Sequence, residues 1–266
     1  MSEVNGKSPY EHWKEACELL QLEEEKYASI QNKESKSAQT KLLKIDGLRL
    51  KVSELELKKD DDVLSEGCKN HLAELYGWIK YKKWKAPENS GAERKEKGVF
   101  VEDLSIQMVN NLDGTNYSKN EEKFTNDYLI GLPDIIDYDR KVVIDVKSSW
   151  NMDSFMNSLV KELHKNYWWQ AQGYMALLDF PTAEINFCLI TTPEHIIQSE
   201  IEKKAGERYS AEEIRANLTF DDIPEAERRL RFVVERDEQA IEKLYKRIRK
   251  CREYLSVIEE LHLSMK

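Results

Sequence analysis

The stretch at residues 131–149, Gly-Leu-Pro-Asp-Ile-Ile-Asp-Tyr-Asp-Arg-Lys-Val-Val-Ile-Asp-Val-Lys-Ser-Ser, constrains the fold more than any other part of the chain. Two apolar runs flank a polar turn at 137–141, the pattern of two strands joined as a hairpin. The second run, Lys141-Val-Val-Ile-Asp-Val-Lys, is rich in β-branched residues, yet it carries an acid and a base where unpaired charge is costly. Strand side chains alternate faces, so Asp145 and Lys147 share one face while Ile144 and Val146 share the other. Pairing of the two runs brings Asp134 beside Asp145. Two carboxylates and an ammonium on one sheet edge can hold a hard cation and steer a water.

The chain has 266 residues, enough for one large domain or a core with a small appendage. Its 34% charged residues and the lack of a long apolar run argue against a membrane span, so no membrane partner is expected. The start, Met1-Ser-Glu-Val-Asn-Gly, has no signal-peptide pattern, and a cytoplasmic location is expected. Cys17, Cys68, Cys188 and Cys251 lack the close pairing of zinc or iron–sulfur ligands, so they read as reduced, buried thiols. A net charge of −9 excludes a surface uniformly attractive to nucleic acid but leaves room for a local basic track.

Hydrophobic periodicity predicts a helix over 8–30 and strands over 42–57, with Ile45-Asp46-Gly47-Leu48 as a hairpin turn. Asp60-Asp61-Asp62 reads as a solvated helix start. Helices follow over 63–84 and 98–112, the latter containing Glu102 and ending at Asp113-Gly114. Between them 87–91 reads as a loop, and Lys82, Lys83, Arg94 and Lys97 form a basic tract. The hairpin comes next, then helices at 153–163 and 165–178 and a strand at 183–191. The remainder reads as mostly helical, with a long helix from about residue 233 to the C-terminus. Domain boundaries are expected at about 60 and 195: an N-terminal helix and hairpin (1–60), a core (61–195) and a helical extension packed on the core (196–266).

Four features in order carry chemistry: Gly98-Val-Phe-Val-Glu102 in a helix, Pro133-Asp134 and Asp145-Val146-Lys147 in strands, and Gln170-Ala-Gln-Gly-Tyr174 in a helix. Gln170 and Tyr174 are four apart and share a helix face. This order resembles the PD-(D/E)xK nuclease superfamily, and within it the RecB-type and lambda-exonuclease-like (YqaJ-like viral recombinase) nucleases, over about residues 63–192.

The resemblance implies an α/β, restriction-endonuclease-like core: a small mixed central sheet flanked by helices, with helical additions at both ends. It implies a DNA nuclease, most simply an exonuclease on linear duplex DNA in recombination or phage DNA processing. Asp134, Asp145 and the Val146 carbonyl would hold Mg²⁺ or Mn²⁺, with Glu102 completing the site. Lys147 would orient the attacking water, and Gln170 and Tyr174 would position the lysine and the scissile backbone. Without metal the three carboxylates should repel, raising at least one pKa. Lys82, Lys83, Arg94, Lys97, Ser148 and Ser149 are candidate DNA contacts, as is the basic face at 243–252. Tyr167-Trp168-Trp169 reads equally as a base-stacking platform or as core. The family also suggests a trimer-like ring of identical subunits and a single-strand annealing protein as partner. Alternative readings are a structure- or sequence-specific endonuclease, a silent DNA-binding module on the same fold, and, most simply, a strand-edge ion pair with a turn acid.

Overall fold

The computed structural model describes residues 9–30, 33–56, 64–83, 92–206 and 209–265. The acidic triplet at 60–62 and the 87–91 loop lie outside the described residues. The chain divides into two compact units, residues 1–85 with 246–266, and residues 86–245.

The first unit begins with α1 (Pro9–Ala28) and α2 (Lys36–Glu56), which pack on each other. Here the expected hairpin is overturned: Ile45-Asp46-Gly47-Leu48 lies inside one continuous helix. The buried residues of α2 are Ala38 and Ile45, and those of α1 are Ala16 and Glu23, a seven-residue spacing in each case. That two-turn repeat makes a helix–helix seam, and it outweighs the Asp-Gly turn signal. Leu43 and Leu50, whose alternation suggests strands, are 74% and 69% exposed. Glu24–Arg49 (2.7 Å) and Glu23–Lys44 (3.3 Å) ion pairs cross the seam. Helix α3 (Glu66–Tyr81) starts at Ser65, whose hydroxyl accepts from the Cys68 N–H.

The second unit opens with α4 (Ala92–Phe100) and α5 (Glu102–Asp113), two helices in place of the single one expected over 98–112. The chain leaves helical geometry at Val101, so Glu102 begins α5 instead of lying mid-helix. Asp113-Gly114 ends α5 as expected, with Gly114 at φ +66° supplying the left-handed cap.

A two-stranded ribbon, β1 (Phe124–Thr125) and β2 (Ile130–Gly131), precedes the main hairpin of β3 (Ile135–Asp137) and β4 (Val142–Ser148). Then come α6 (Met152–Val160), α7 (Lys165–Leu178), β5 (Thr182–Cys188), α8 (Glu194–Lys204) and α9 (Ala211–Ala216). The unit closes on β6 (Arg229–Glu235) and the first residues of α10 (Glu238–Ser264).

The main sheet has the order β3-β4-β5-β6, with only the central β4–β5 pair parallel. The region after residue 195 is mostly helical as expected, but it also contains strand β6, which carries the sheet past that point. Its Leu230, Phe232 and Val234 pack on one face at strand period, whereas the apolar run Phe-Val-Val by itself reads as a helix start. The long helix accordingly begins at Glu238, not near 233.

Side-chain alternation assigns the two faces of the sheet. Ile135, Val142, Ile144, Val146 and Cys188 pack against Ile106, Met108 and Val109 of α5. Val143, Ile185, Phe187 and Val234 pack against Ala171 and Met175 of α7. Asp145 and Lys147 share the Val143 face, so they emerge on the α7 side. Within the first unit, Cys68 and Leu72 of α3 pack with Cys251, Tyr254, Leu255 and Ile258 of α10.

Candidate active site

The β3–β4 ladder ends at the Ile135–Ile144 pair. The next strand N–H on that side belongs to Val146, and Asp134 Oδ2 accepts it at 2.8 Å. A side chain thus continues the ladder where the strand stops. In an extended strand a residue's N–H and C=O point to the same side, so the Val146 carbonyl also faces Asp134. The Pro133-Asp134 backbone is itself pinned by Asn120, whose N–H donates to the Asp134 carbonyl (2.7 Å) and whose Nδ2 donates to the Pro133 carbonyl (2.9 Å).

Asp145 is 2% exposed. Lys147 Nζ stands 2.6 Å from its Oδ2 as an ion pair, yet that oxygen has no well-directed hydrogen bond among the described residues. Burial and the Asp145 charge push the Asp134 carboxyl up to about 7, with Glu102 adding to the shift and the Val146 N–H and Lys147 opposing it. Burial also raises Asp145, against the pull of Lys147. For Lys147, burial is the largest single influence and favours the neutral amine, but the charge and hydrogen bonding of Asp145 together with the Asp134 charge outweigh it and the pKa rises. The expected upward shift is present, and burial contributes more to it than repulsion does.

Gln170 and Tyr174 meet as their spacing implies: Gln170 Nε2 donates to the Tyr174 hydroxyl (2.9 Å), which donates to the Leu132 carbonyl (3.2 Å). The pair therefore fastens α7 to the segment just before Pro133. Gly131 permits this approach, since a Cβ there would lie 2.8 Å from Tyr174 Cε1 and 2.9 Å from Leu177 Cδ1. Tyr167 adds its ring 5.4 Å from Lys147 Nζ. Tyr167 and Trp168 pack against the sheet beside Phe187 and Phe232, so the aromatic triplet contributes two residues to the core.

Glu102 is close enough to raise both aspartates, but its carboxylate is engaged by Lys119 at 2.7 Å. Among the described residues no three His, Cys, Asp or Glu side chains form a group that could hold a metal ion. The nearest donor set is Asp134, Asp145 and the Val146 carbonyl. All are oxygens, and the set includes a buried carboxylate oxygen without a well-directed donor, chemistry that suits a hard divalent cation.

The candidate DNA contacts divide. Lys97 is corrected: it is fully buried, its Nζ donating to the Ser149 (2.8 Å) and Trp150 (3.0 Å) carbonyls. Desolvation lowers its pKa to about 7. The basic run reads as an exposed tract, but helical period turns this one lysine inward beneath the chain leaving β4. Ser149 is also buried, and Ser148 faces the α5 side, where its hydroxyl meets that of Ser105 at 3.0 Å. Burial takes Ser149 away from any phosphate, whereas Ser148 is half-buried. Arg94 is exposed, with its guanidinium 6.0 Å from the Trp150 ring. Lys82 and Lys83 are exposed in the first unit, Lys82 as the left-handed cap of α3.

Sequence reasoning does not single out Lys119, Asn120 or Gly131. Each acts through a tertiary contact with no local motif, although Gly131 immediately precedes the Leu-Pro-Asp segment. An open groove of about 600 Å³ lies along β6, lined by Leu163, Trp168, Phe232 and Arg236 among others; Asp134, Asp145, Lys147, Gln170 and Tyr174 do not line it.

A mixed sheet with helices on both faces, carrying two acids and a lysine at the end of its hairpin, is a restriction-endonuclease-like core. Among solved structures the chain is similar to a phage related exonuclease from Haemophilus somnus 129PT, with 24% identity, a TM-score of 0.61 and coverage of 77% of this chain and 88% of that one. It is also similar to the alkaline exonuclease LHK-Exo from Laribacter hongkongensis (13% identity, TM-score 0.53, 76% and 87% covered). LHK-Exo in complex with dAMP gives 14% identity, a TM-score of 0.53 and coverage of 76% and 86%. No protein-family model matches the sequence, and no curated protein matches it. The chain shares its fold with these structures. No described helix is long and apolar enough to cross a membrane.

Proposed function

We propose that this protein is a metal-dependent deoxyribonuclease, acting as an exonuclease on linear duplex DNA. The observation that carries the reading is the Asp134–Val146 hydrogen bond, which joins the Pro-Asp and Asp-x-Lys elements at the edge that Gln170 and Tyr174 also flank. The names of the similar structures support it. So does the dAMP bound by LHK-Exo, a mononucleotide of the kind an exonuclease frees from a DNA end.

Asp134, Asp145 and the Val146 carbonyl would hold Mg²⁺ or Mn²⁺, with Glu102 reaching it directly or through water. Such an ion, when bound, would lower the pKa of a coordinated water and screen the scissile phosphate. Lys147, kept protonated by Asp145, orients the water and offsets charge building on the phosphate. Tyr174, fixed by Gln170 and Leu132, limits how far Lys147 and the backbone can drift. Arg94 with Lys82 and Lys83 would contact backbone phosphates, and a homo-oligomeric ring and a single-strand annealing partner belong to the same reading.

Digestion of end-labelled linear and closed circular duplex DNA with Mg²⁺ tests it. Degradation of the linear form alone, abolished in Asp145→Ala and Lys147→Ala, is the expected result. Cleavage of the circle would replace the exonuclease with an endonuclease, and folded protein inert on every DNA would overturn the proposal.

A further inference from the structure

Lys119 is held in place more firmly than a solvent-facing lysine usually is. It lies in the segment that joins α5 to β1, between two anchors. Two residues before it, the Tyr117 backbone is gripped by the Asn110 side chain, which accepts from the Tyr117 N–H (2.7 Å) and donates to its carbonyl (2.9 Å). The Tyr117 hydroxyl is tied in turn to Asp137 at 2.6 Å. One residue after Lys119, Asn120 is bonded to the Pro133 and Asp134 carbonyls. Clamped on both sides, the chain delivers the Lys119 ammonium to Glu102 Oε2 at 2.7 Å.

The charges explain what such a cation does there. Glu102, Asp134 and Asp145 are mutually repelling, and among the described residues Lys147, on Asp145, offsets them on the α7 side. Lys119 supplies the second positive charge, on the Glu102 side. An ammonium at this place repels an arriving divalent cation and occupies the carboxylate oxygen that would complete its shell.

We propose that Lys119 is a resident counter-ion of the site, competing with the divalent cation for Glu102 and so setting how tightly that cation binds. The inference rests on the nuclease reading and deepens it. Lys119 is a positioning residue here: it acts by holding Glu102.

Calorimetric titration of Mn²⁺ into the metal-free full-length protein tests this, with wild type, Lys119→Met and Lys119→Arg compared at one ionic strength. Lys119→Met should bind Mn²⁺ about tenfold more tightly, the effect of removing one positive charge several ångströms from a divalent ion. Lys119→Arg, which keeps the charge, should stay within about twofold of wild type. Unchanged or weaker Mn²⁺ binding by Lys119→Met, in a protein whose wild type binds Mn²⁺ and cleaves linear DNA, overturns this inference and leaves the nuclease reading intact. A wild type that neither binds Mn²⁺ nor cleaves DNA overturns both.

Discussion

Asp134 takes the Val146 N–H at the point where β3 stops pairing with β4, a carboxylate standing in for a strand. One interaction thereby sets the spacing between the two acids and aims the Val146 carbonyl at the same place. Asp134→Asn keeps an oxygen acceptor for that N–H and removes the charge. The variant should fold with wild-type circular dichroism while losing at least about 100-fold in cleavage rate, the scale of a missing ionised catalytic group.

The raised Asp134 and Asp145 carboxyls imply proton release on metal binding. A bound divalent cation favours ionised ligands, and Asp134, pushed up to about 7, is largely protonated below that pH. Mn²⁺ titrations at pH 6 in buffers of differing ionisation enthalpy should show proton release that fades by pH 8. Stability follows the same linkage. A carboxyl raised in the folded state favours folding fully below its unfolded value, and that contribution is lost as pH rises through about 7. The metal-free wild type should therefore lose stability relative to Asp134→Asn between pH 4 and 8, as read by urea melts.

Lys97 carries the opposite shift. Its amine is lowered to about 7 in the fold, so the cost of burying its charge is absent above the unfolded value near 10.5 and fully present below about 7. Lys97→Met should gain stability relative to wild type as pH falls from 10 to 7. The Ser149 and Trp150 carbonyls lose their donor, which sets a pH-independent penalty of about 1–3 kcal/mol against that gain. Denaturation at the two pH values separates the terms.

Gly131→Ala drives a methyl group into the Tyr174 ring and Leu177. Overpacking of this kind costs about 1–3 kcal/mol. Because Tyr174 is the group that must yield, the rate of cleavage should fall along with the melting temperature. A control such as Gly98→Ala, where nothing lies within 4 Å, should leave the fold unstrained.

Cys68 and Cys251 lie with sulfurs 4.0 Å apart on α3 and α10, although 183 residues separate them in the chain. A small shift brings them to bonding distance. Treatment with a thiol oxidant such as diamide should form an intramolecular bridge, detected as a two-proton mass loss that Cys68→Ser abolishes. Closing so long a loop should raise stability by up to about 5 kcal/mol.

Features of short period are legible in the amino-acid order alone. The β3–β4 hairpin, α7 with its Gln170–Tyr174 pair, the Gly114 cap and the common face of Asp145 and Lys147 all follow from alternation or helical spacing within a few residues. Where two local signals conflict, the residues alone point the wrong way. In α2 the Asp46-Gly47 turn signal competes with the seven-residue spacing of Ala38 and Ile45, and packing against α1 decides for helix. In β6 the run Phe232-Val233-Val234 is apolar enough for either state, and only a partner strand, β5, makes it a strand.

The sequence by itself determined the acids and the lysine, their order, and which of them share a strand face, because backbone geometry dictates those relations over short distances. Only the tertiary structure decided which cations reach them. Lys97, exposed by its neighbours' composition, is drawn under the end of β4, while Lys119, which no motif marks, is clamped by Asn110 and Asn120 onto Glu102. The destination of a long charged side chain depends on contacts from segments far away in the chain, and no local period encodes it.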